Sequence, residues 1–165
     1  MAVEPKITRI MNRLRELLIE TYPERYAETN VHVTHPRVLD TNRPPKGDQY
    51  YIYRDENDNT DEYSDDENIV GAFAFTLNIY AVFTASGKDT DIEKEREIKV
   101  AYLHDDFVNL RSERLTGPPP YGSWLRGKKY VADTPIGAYS DLKVLDTIVV
   151  FAVEFDNEGS FFTTS

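Results

Sequence analysis

IVGAFAFTLNIYAVFT, residues 69–84, decides how this chain folds. Ile69, Phe73, Phe75, Leu77, Ile79 and Phe83 fall in one phase of a two-residue beat, and Ala72, Ala74, Thr76, Asn78 and Tyr80 in the other. Side chains alternate across a strand, so the beat predicts a strand with one strongly apolar face and one milder face. Fully extended, the run would reach roughly 50 Å, whereas strands are commonly about 5–6 residues long. A ribbon that long is expected to project from its domain and to need a neighbour over its apolar face. That expectation favours assembly over catalysis.

The rest of the chain bounds the possibilities. Its 165 residues suit one domain with a real core, and a 40% hydrophobic, 29% charged composition is globular. The formal net charge of −10, with a pI near 4.8, repels nucleic-acid phosphates instead of gripping them. There is no cysteine, which excludes disulfides, thiolate metal sites and thiol nucleophiles. No apolar run approaches the roughly 20 residues of a membrane span, and arginines interrupt the first residues too often for a signal peptide. The expectation is a soluble chain made in the cytosol.

Outward from the long strand, Ile7, Ile10, Met11, Leu14, Leu17, Leu18 and Thr21 recur at three and four. That spacing predicts an amphipathic helix packed on a sheet, with Pro5 in its first turn and Pro23 stopping it. A short strand is expected near 31–34 and an aromatic strand at 49–53 (QYYIY). The acidic tract 55–68, DENDNTDEYSDDEN, reads as a hairpin loop between strands. Thr90 and Glu93 have capping-box spacing ahead of a second helix over about 91–110, whose apolar stripe would be Ile92, Ile98, Ala101, Tyr102, Phe107 and Val108. The rival reading there is a strand at 98–103 (IKVAYL). Residues 116–137 hold four prolines and four glycines and read as a long irregular loop. Residues 142–155, with Leu145, Thr147, Val149, Phe151, Val153 and Phe155 in one phase, are the natural partner of the long strand.

Chemistry-bearing patterns are weak. His32 and His35 stand three apart, a spacing that puts them on opposite faces of a strand, so they cannot share a metal ion. Asp55, Asn57, Asn59, Asp61 and Asp66 approach a calcium-loop template, but Thr60 replaces its glycine and Asp66 its long glutamate. A solvated acidic loop is the plainer reading. Ser123 and Ser140–Asp141 lack a nucleophile-elbow setting, and there is no phosphate loop or dinucleotide fingerprint. Arg126, Lys128 and Lys129 with Tyr121, Trp124 and Tyr130 form a basic-aromatic patch. Single-strand binders use such groups, but on so acidic a chain the patch favours a protein interface.

The order of these elements resembles the tail terminator (tail completion) proteins of long-tailed bacteriophages. It runs from the helix ITRIMNRLRELLIETYP through the aromatic strand, acidic hairpin and GAFAFTLNIYAVFTA to a second helix, a loop and DTIVVFAVEFD. The resemblance implies a hexameric ring on the last ring of tail-tube protein, ending its polymerisation and offering a docking face to the head–tail connector protein. The sheath protein is a further partner that it allows. It implies no enzymatic activity, no cofactor and no metal. DNA would pass the lumen without specific binding, in a virion neck assembled from protein made in the host cytoplasm.

The expectation is therefore a single α+β domain spanning 1–165. It has a mostly antiparallel sheet, a long projecting β-hairpin, two helices packed on one face, an acidic loop at 55–68 and a Pro/Gly-rich loop at 116–137. The expected interface residues are Phe73, Phe75, Tyr80 and Phe83 on the long strand, and Trp124, Arg126 and Tyr130 on the late loop. The alternatives are another connector or tail-tube-like protein, or a small hydrolase using His104 with Asp105, Asp106 or another carboxylate.

Overall fold

The computed structural model describes residues 3–40, 42–43, 45–54, 72–85, 91–110, 125–139, 143–156 and 162–164. For 3–6, 38, 72–75, 125–129, 154–156 and 162–164 the backbone alone is described. In chain order the elements are β1 (Val3–Pro5), α1 (Lys6–Thr21), β2 (Val31–Val33), a 3-10 turn (Pro36–Val38), β3 (Gln49–Arg54) and β4 (Ala72–Thr84). They continue with α2 (Ile92–Val108), β5 (Leu125–Pro135), β6 (Val144–Asp156) and β7 (Phe162–Thr164). The main sheet has the order β2-β3-β4-β6-β5 and is antiparallel except for the β2–β3 pair. β1 and β7 form a separate antiparallel pair beside α1. This is the α+β architecture expected.

β4 is the central strand. Its natural partner is β6, matched residue for residue from Ala72↔Asp156 to Thr84↔Val144. β3 covers a shorter stretch, from Leu77 to Val82. A long projecting hairpin is not seen among the described residues, and the acidic tract that would form its tip lies outside them.

Both helices lie on one face of the sheet. α1 packs over β2 and β3, α2 over β4, β6 and β5. The α1 stripe behaves as its spacing requires: Ile10, Met11, Leu14, Leu17 and Leu18 are buried, with Ile7 and Ile19 beside them. Burying five such side chains contributes about 10 kcal/mol before chain entropy is subtracted. Pro5 ends β1 just ahead of the helix and does not sit in its first turn.

α2 prevails over the rival strand because Val100, Leu103, Phe107 and Leu110 recur at three and four and sink into the same core. That stripe corrects the expected one, since Ile98 and Tyr102 point outward. The N-cap is Asp91, whose carboxylate accepts from the Lys94 N–H, one residue after the expected Thr90. Leu77, Ile79, Ala81 and Phe83 of β4 meet Val149, Phe151 and Val153 of β6 beneath the helices.

The opposite face of β4 is covered as well. Tyr80, Val82 and Val144 are buried there against Leu39, Tyr51, Tyr53, Tyr139 and Ile148. The cover comes from the stretches before β3 and after β5. Asp146 holds the second of these: its buried carboxylate accepts from the Gly137 N–H at 2.7 Å, the Ala138 N–H at 3.1 Å and the Tyr80 hydroxyl. Gly137 sits at φ +73°, a left-handed turn that glycine adopts without a Cβ penalty. The expectation that one chain leaves this ribbon bare is therefore corrected for 77–83, where both faces are filled by the chain itself.

The Pro/Gly-rich loop is corrected too. Residues 125–135 of the expected 116–137 loop form β5, an edge strand with irregular register at Leu125/Gly127 and Tyr130/Ala132. Residues 116–124 lie outside the described residues.

Candidate functional site

The expected interface residues do not gather into one surface. Phe83 is fully buried in the main core and Tyr80 is buried on the other face, so neither is presented to a neighbour. Burial, then the hydrogen bond to Asp146, hold the Tyr80 hydroxyl well above the usual phenol range. Phe73 and Phe75 stand on β4 opposite Phe155 and Val153 in register, with side chains outside the described set. Trp124 lies outside the described residues, and Arg126 is a position on β5 described by its backbone alone. Tyr130 is half-buried on β5, its ring against Phe151 and His104 and its hydroxyl on Asp133. That bond, then burial, raises its pKa. Arg126 and Tyr130 thus belong to a strand, not to the loop expected there.

The histidines have local partners. His32 Nε2 lies 2.9 Å from Gln49 Oε1 with its ring stacked on Tyr51, and His35 Nδ1 accepts from the Arg37 N–H beside Tyr53. β2 ends at Val33, so strand alternation does not extend to His35, and both imidazoles meet tyrosines of β3. Among the described residues no group of three or more histidines and carboxylates could hold a metal ion.

His104 borders an open groove of about 330 Å³ with Arg96, Glu97, Val100, Ala101, Tyr130 and Asp133. Asp105 lies 3.5 Å from its Nδ1. Asp106 is turned away and fully engaged. Arg25 donates to both its oxygens, Nη2 at 2.6 Å and Nε at 2.8 Å, and the Tyr26 hydroxyl donates at 2.7 Å. Asp106 is buried and ties the segment after α1 to α2 across 81 residues of sequence. It stands inside a structural clamp, not beside His104. The Asp106 carboxylate holds the Arg25 guanidinium further into its charged form. Burial, then the bond to Asp106, push the Tyr26 phenol up.

What the fold does present is a pair of unlike flanks. On one, β5 runs for 11 residues as an edge strand, with Val131 and Ile136 exposed by 54% and 44%. Away from this flank, on the side of α2 toward the segment that follows α1, Ile98 and Tyr102 are exposed by 48% and 51%. The Arg25 guanidinium sits 5.0 Å from the centre of the Tyr102 ring and holds it in place. Ile98 and Tyr102 both line a cleft of about 400 Å³ together with Glu24, Arg25, Asp48, Tyr50, Glu95 and Lys99. Lys99 is committed there, with Asp48 at 2.8 Å and Glu95 at 3.2 Å.

On the other flank β2 is only three residues long. Arg15 of α1 reaches it, donating to the Val31 carbonyl at 2.7 Å and the Glu28 carbonyl at 3.1 Å. Above it, Arg9, Asn12, Arg13, Arg15 and Glu16 line a groove of about 230 Å³. One flank therefore offers apolar side chains and an open strand edge; the other offers arginine side chains over a short edge.

These exposed apolar residues were missed by sequence reasoning, which placed Ile98 and Tyr102 in the buried stripe. Counting the helical period from Val100, Leu103, Phe107 and Leu110 would have left the two outside it.

No family model matches the chain, and no curated protein matches it.

Proposed function

We propose that this chain is a ring-forming structural protein of a phage virion, acting as a tail terminator. Its ring would cap the tail tube, end its polymerisation and offer the head–tail connector a docking face. Its place would be the neck of the virion, after synthesis in the host cytoplasm. The observation that carries this reading is the unlikeness of the two flanks. Self-complementary patches make twofold dimers, whereas two different patches on one chain associate head to tail and close into rings when the rotation allows. The exposed Val131 and Ile136 on one flank and the arginine groove on the other suit such a contact. The order of elements supports the reading in part: α1, a short strand, β3, β4, α2 and β6 follow the order on which the resemblance rests, with β5 where that order has a loop and β7 after β6. The charge of −10 per chain suits a lumen through which DNA slides.

A second reading draws on the same flanks. A head-to-tail contact whose rotation does not close builds an open filament, as a tail-tube-like protein would.

Adding the purified chain to growing tail tubes separates the two. A terminator stops elongation and leaves a distinct ring at one tip. A tube-like protein forms filaments by itself. Tubes that grow to unchanged length with bare tips would overturn the terminator reading.

A further inference from the structure

We infer that the cleft between α2 and the segment after α1 binds a linear aliphatic diamine, its ammonium ends on carboxylates and its carbon stem on Ile98 and Tyr102. The site is complete within one chain, so it stands whether or not copies associate.

The groups lining the cleft have acceptors to spare and no cation to spare. Lys99 Nζ lies 2.8 Å from Asp48 and 3.2 Å from Glu95, and it donates to the Thr84 carbonyl at 3.3 Å. Those contacts use the three donors of its ammonium. Arg25 places Nε and Nη2 on Asp106 and Nη1 3.3 Å from Glu24. A carboxylate offers about four acceptor sites. Glu24 is exposed and meets Arg25 through Oε1 alone, and Asp48 Oδ2 accepts only from Lys99 among the described residues. With Asp106 behind Arg25, four carboxylates surround two cations here. A ligand that brings donors and positive charge completes this set, and an anion adds to the excess.

The floor of the cleft carries an unspent group. Tyr50 is 6% exposed, its ring edge-on to those of Tyr26 and Phe83. Its hydroxyl meets no hydrogen-bond partner among the described residues, and it opens on the cleft. Burial, then the Asp48 charge, hold this phenol above its usual range, so it stays a neutral hydroxyl with lone pairs for an incoming N–H. A buried hydroxyl left unbonded is costly, and a ligand donor removes that cost.

Spacing sets the shape of the ligand. Glu95 and Tyr102 stand seven residues apart on α2, about 10 Å along its axis. Asp48 and Glu95 gather at Lys99 near one end, and Glu24 and Arg25 gather at Tyr102 near the other. Ile98 and Tyr102, both half-exposed, supply the apolar wall along this length. An apolar wall with a few placed polar groups, in about 400 Å³, is the make-up of a small-molecule site.

Calorimetric titration of the full chain at low salt tests this, with hexamethylenediamine as the probe. Hexanediol and adipate serve as the neutral and anionic molecules of matching length. The diamine is expected to give saturable one-to-one heat, and the other two none. Tyr50→Phe removes only the unbonded hydroxyl, and Glu24→Gln only an exposed charge. Each should weaken the diamine by about tenfold or more with an unchanged urea midpoint at neutral pH. Should Tyr50→Phe fail to fold, Glu24→Gln alone decides. Three results overturn the inference: no saturable heat up to about 10 mM diamine, adipate or hexanediol bound as tightly as the diamine, or wild-type affinity in both variants. Nα-acetyl-lysine amide separates a free diamine from a lysine side chain on a protein. Tighter binding of that amide would overturn the diamine as occupant.

Discussion

Replacing Asp106 with Asn tests the clamp that joins α2 to the segment after α1. The carboxylate is buried and accepts three hydrogen bonds, two from Arg25 and one from the Tyr26 hydroxyl. The amide keeps the volume but turns one acceptor into a donor, which must then face an N–H or O–H. Breaking one side of a buried ion pair costs about 3–5 kcal/mol. Arg25 is 32% exposed, so its guanidinium recovers some water and the cost falls to the lower end. Tyr26 is buried, and leaving its hydroxyl without an acceptor costs about 1–3 kcal/mol, part of the same total. The expected loss is about 3 kcal/mol, a large share of the roughly 5–15 kcal/mol that holds a domain together. Urea unfolding reads it as a lower midpoint with unchanged slope, and thermal unfolding as a fall of about 6–12 °C at this chain length. A loss below about 1 kcal/mol would refute the clamp and return Asp106 to the pool of groups available for other work.

Three further outcomes follow from the same packing. Asp146→Ala removes the acceptor for the Gly137 and Ala138 N–H groups and the Tyr80 hydroxyl; amide exchange across 136–139 should accelerate at least tenfold while α1 amides keep their protection. Phe83→Ala empties a fully buried site and should cost about 3–5 kcal/mol in urea unfolding; a stable variant with altered assembly would instead restore Phe83 as an interface residue. Tyr26, Tyr50 and Tyr80 all keep their protons to higher pH in the folded state, burial being the first cause in each. The unfolded chain releases those protons near pH 10, so the stability they confer is complete below about pH 10 and is lost as pH rises through the folded values. Each contributes a slope of about 1.4 kcal/mol per pH unit in that window, and a urea midpoint flat through it would contradict the burial of the three phenols.

The elements that the sequence made legible are those whose side chains answer to two environments. α1 showed its stripe because one side meets the sheet and the other water, and β4 and β6 showed theirs because each packs under the helices. β5 was hidden for the opposite reason. LRGKKYVADTP has one strand neighbour and a bulged register, so no apolar alternation is demanded of it, and its glycine and terminal proline mimic loop punctuation. β1 and β7 are three residues each, too short for any period. The cover over the second face of β4 depends on Asp146 gripping a turn eight or nine residues earlier and on Leu39 arriving from before β3, contacts that local pattern does not encode. The same holds for Asp106 and Arg25. Among the expected interface residues, an alternating strand could not tell Phe83, covered by its own helices, from a side chain left for a neighbour. The open flank was legible only once β5 was known to be an edge strand.

The central proposal is that this chain, which fills both faces of β4 over 77–83 by itself, joins copies of itself through unlike flanks. Negative-stain images of the purified wild-type chain test it most directly. The account predicts closed rings of uniform diameter whose subunits all point the same way around the circle. Isolated particles of single-chain size, or pairs related by a twofold axis, would contradict it.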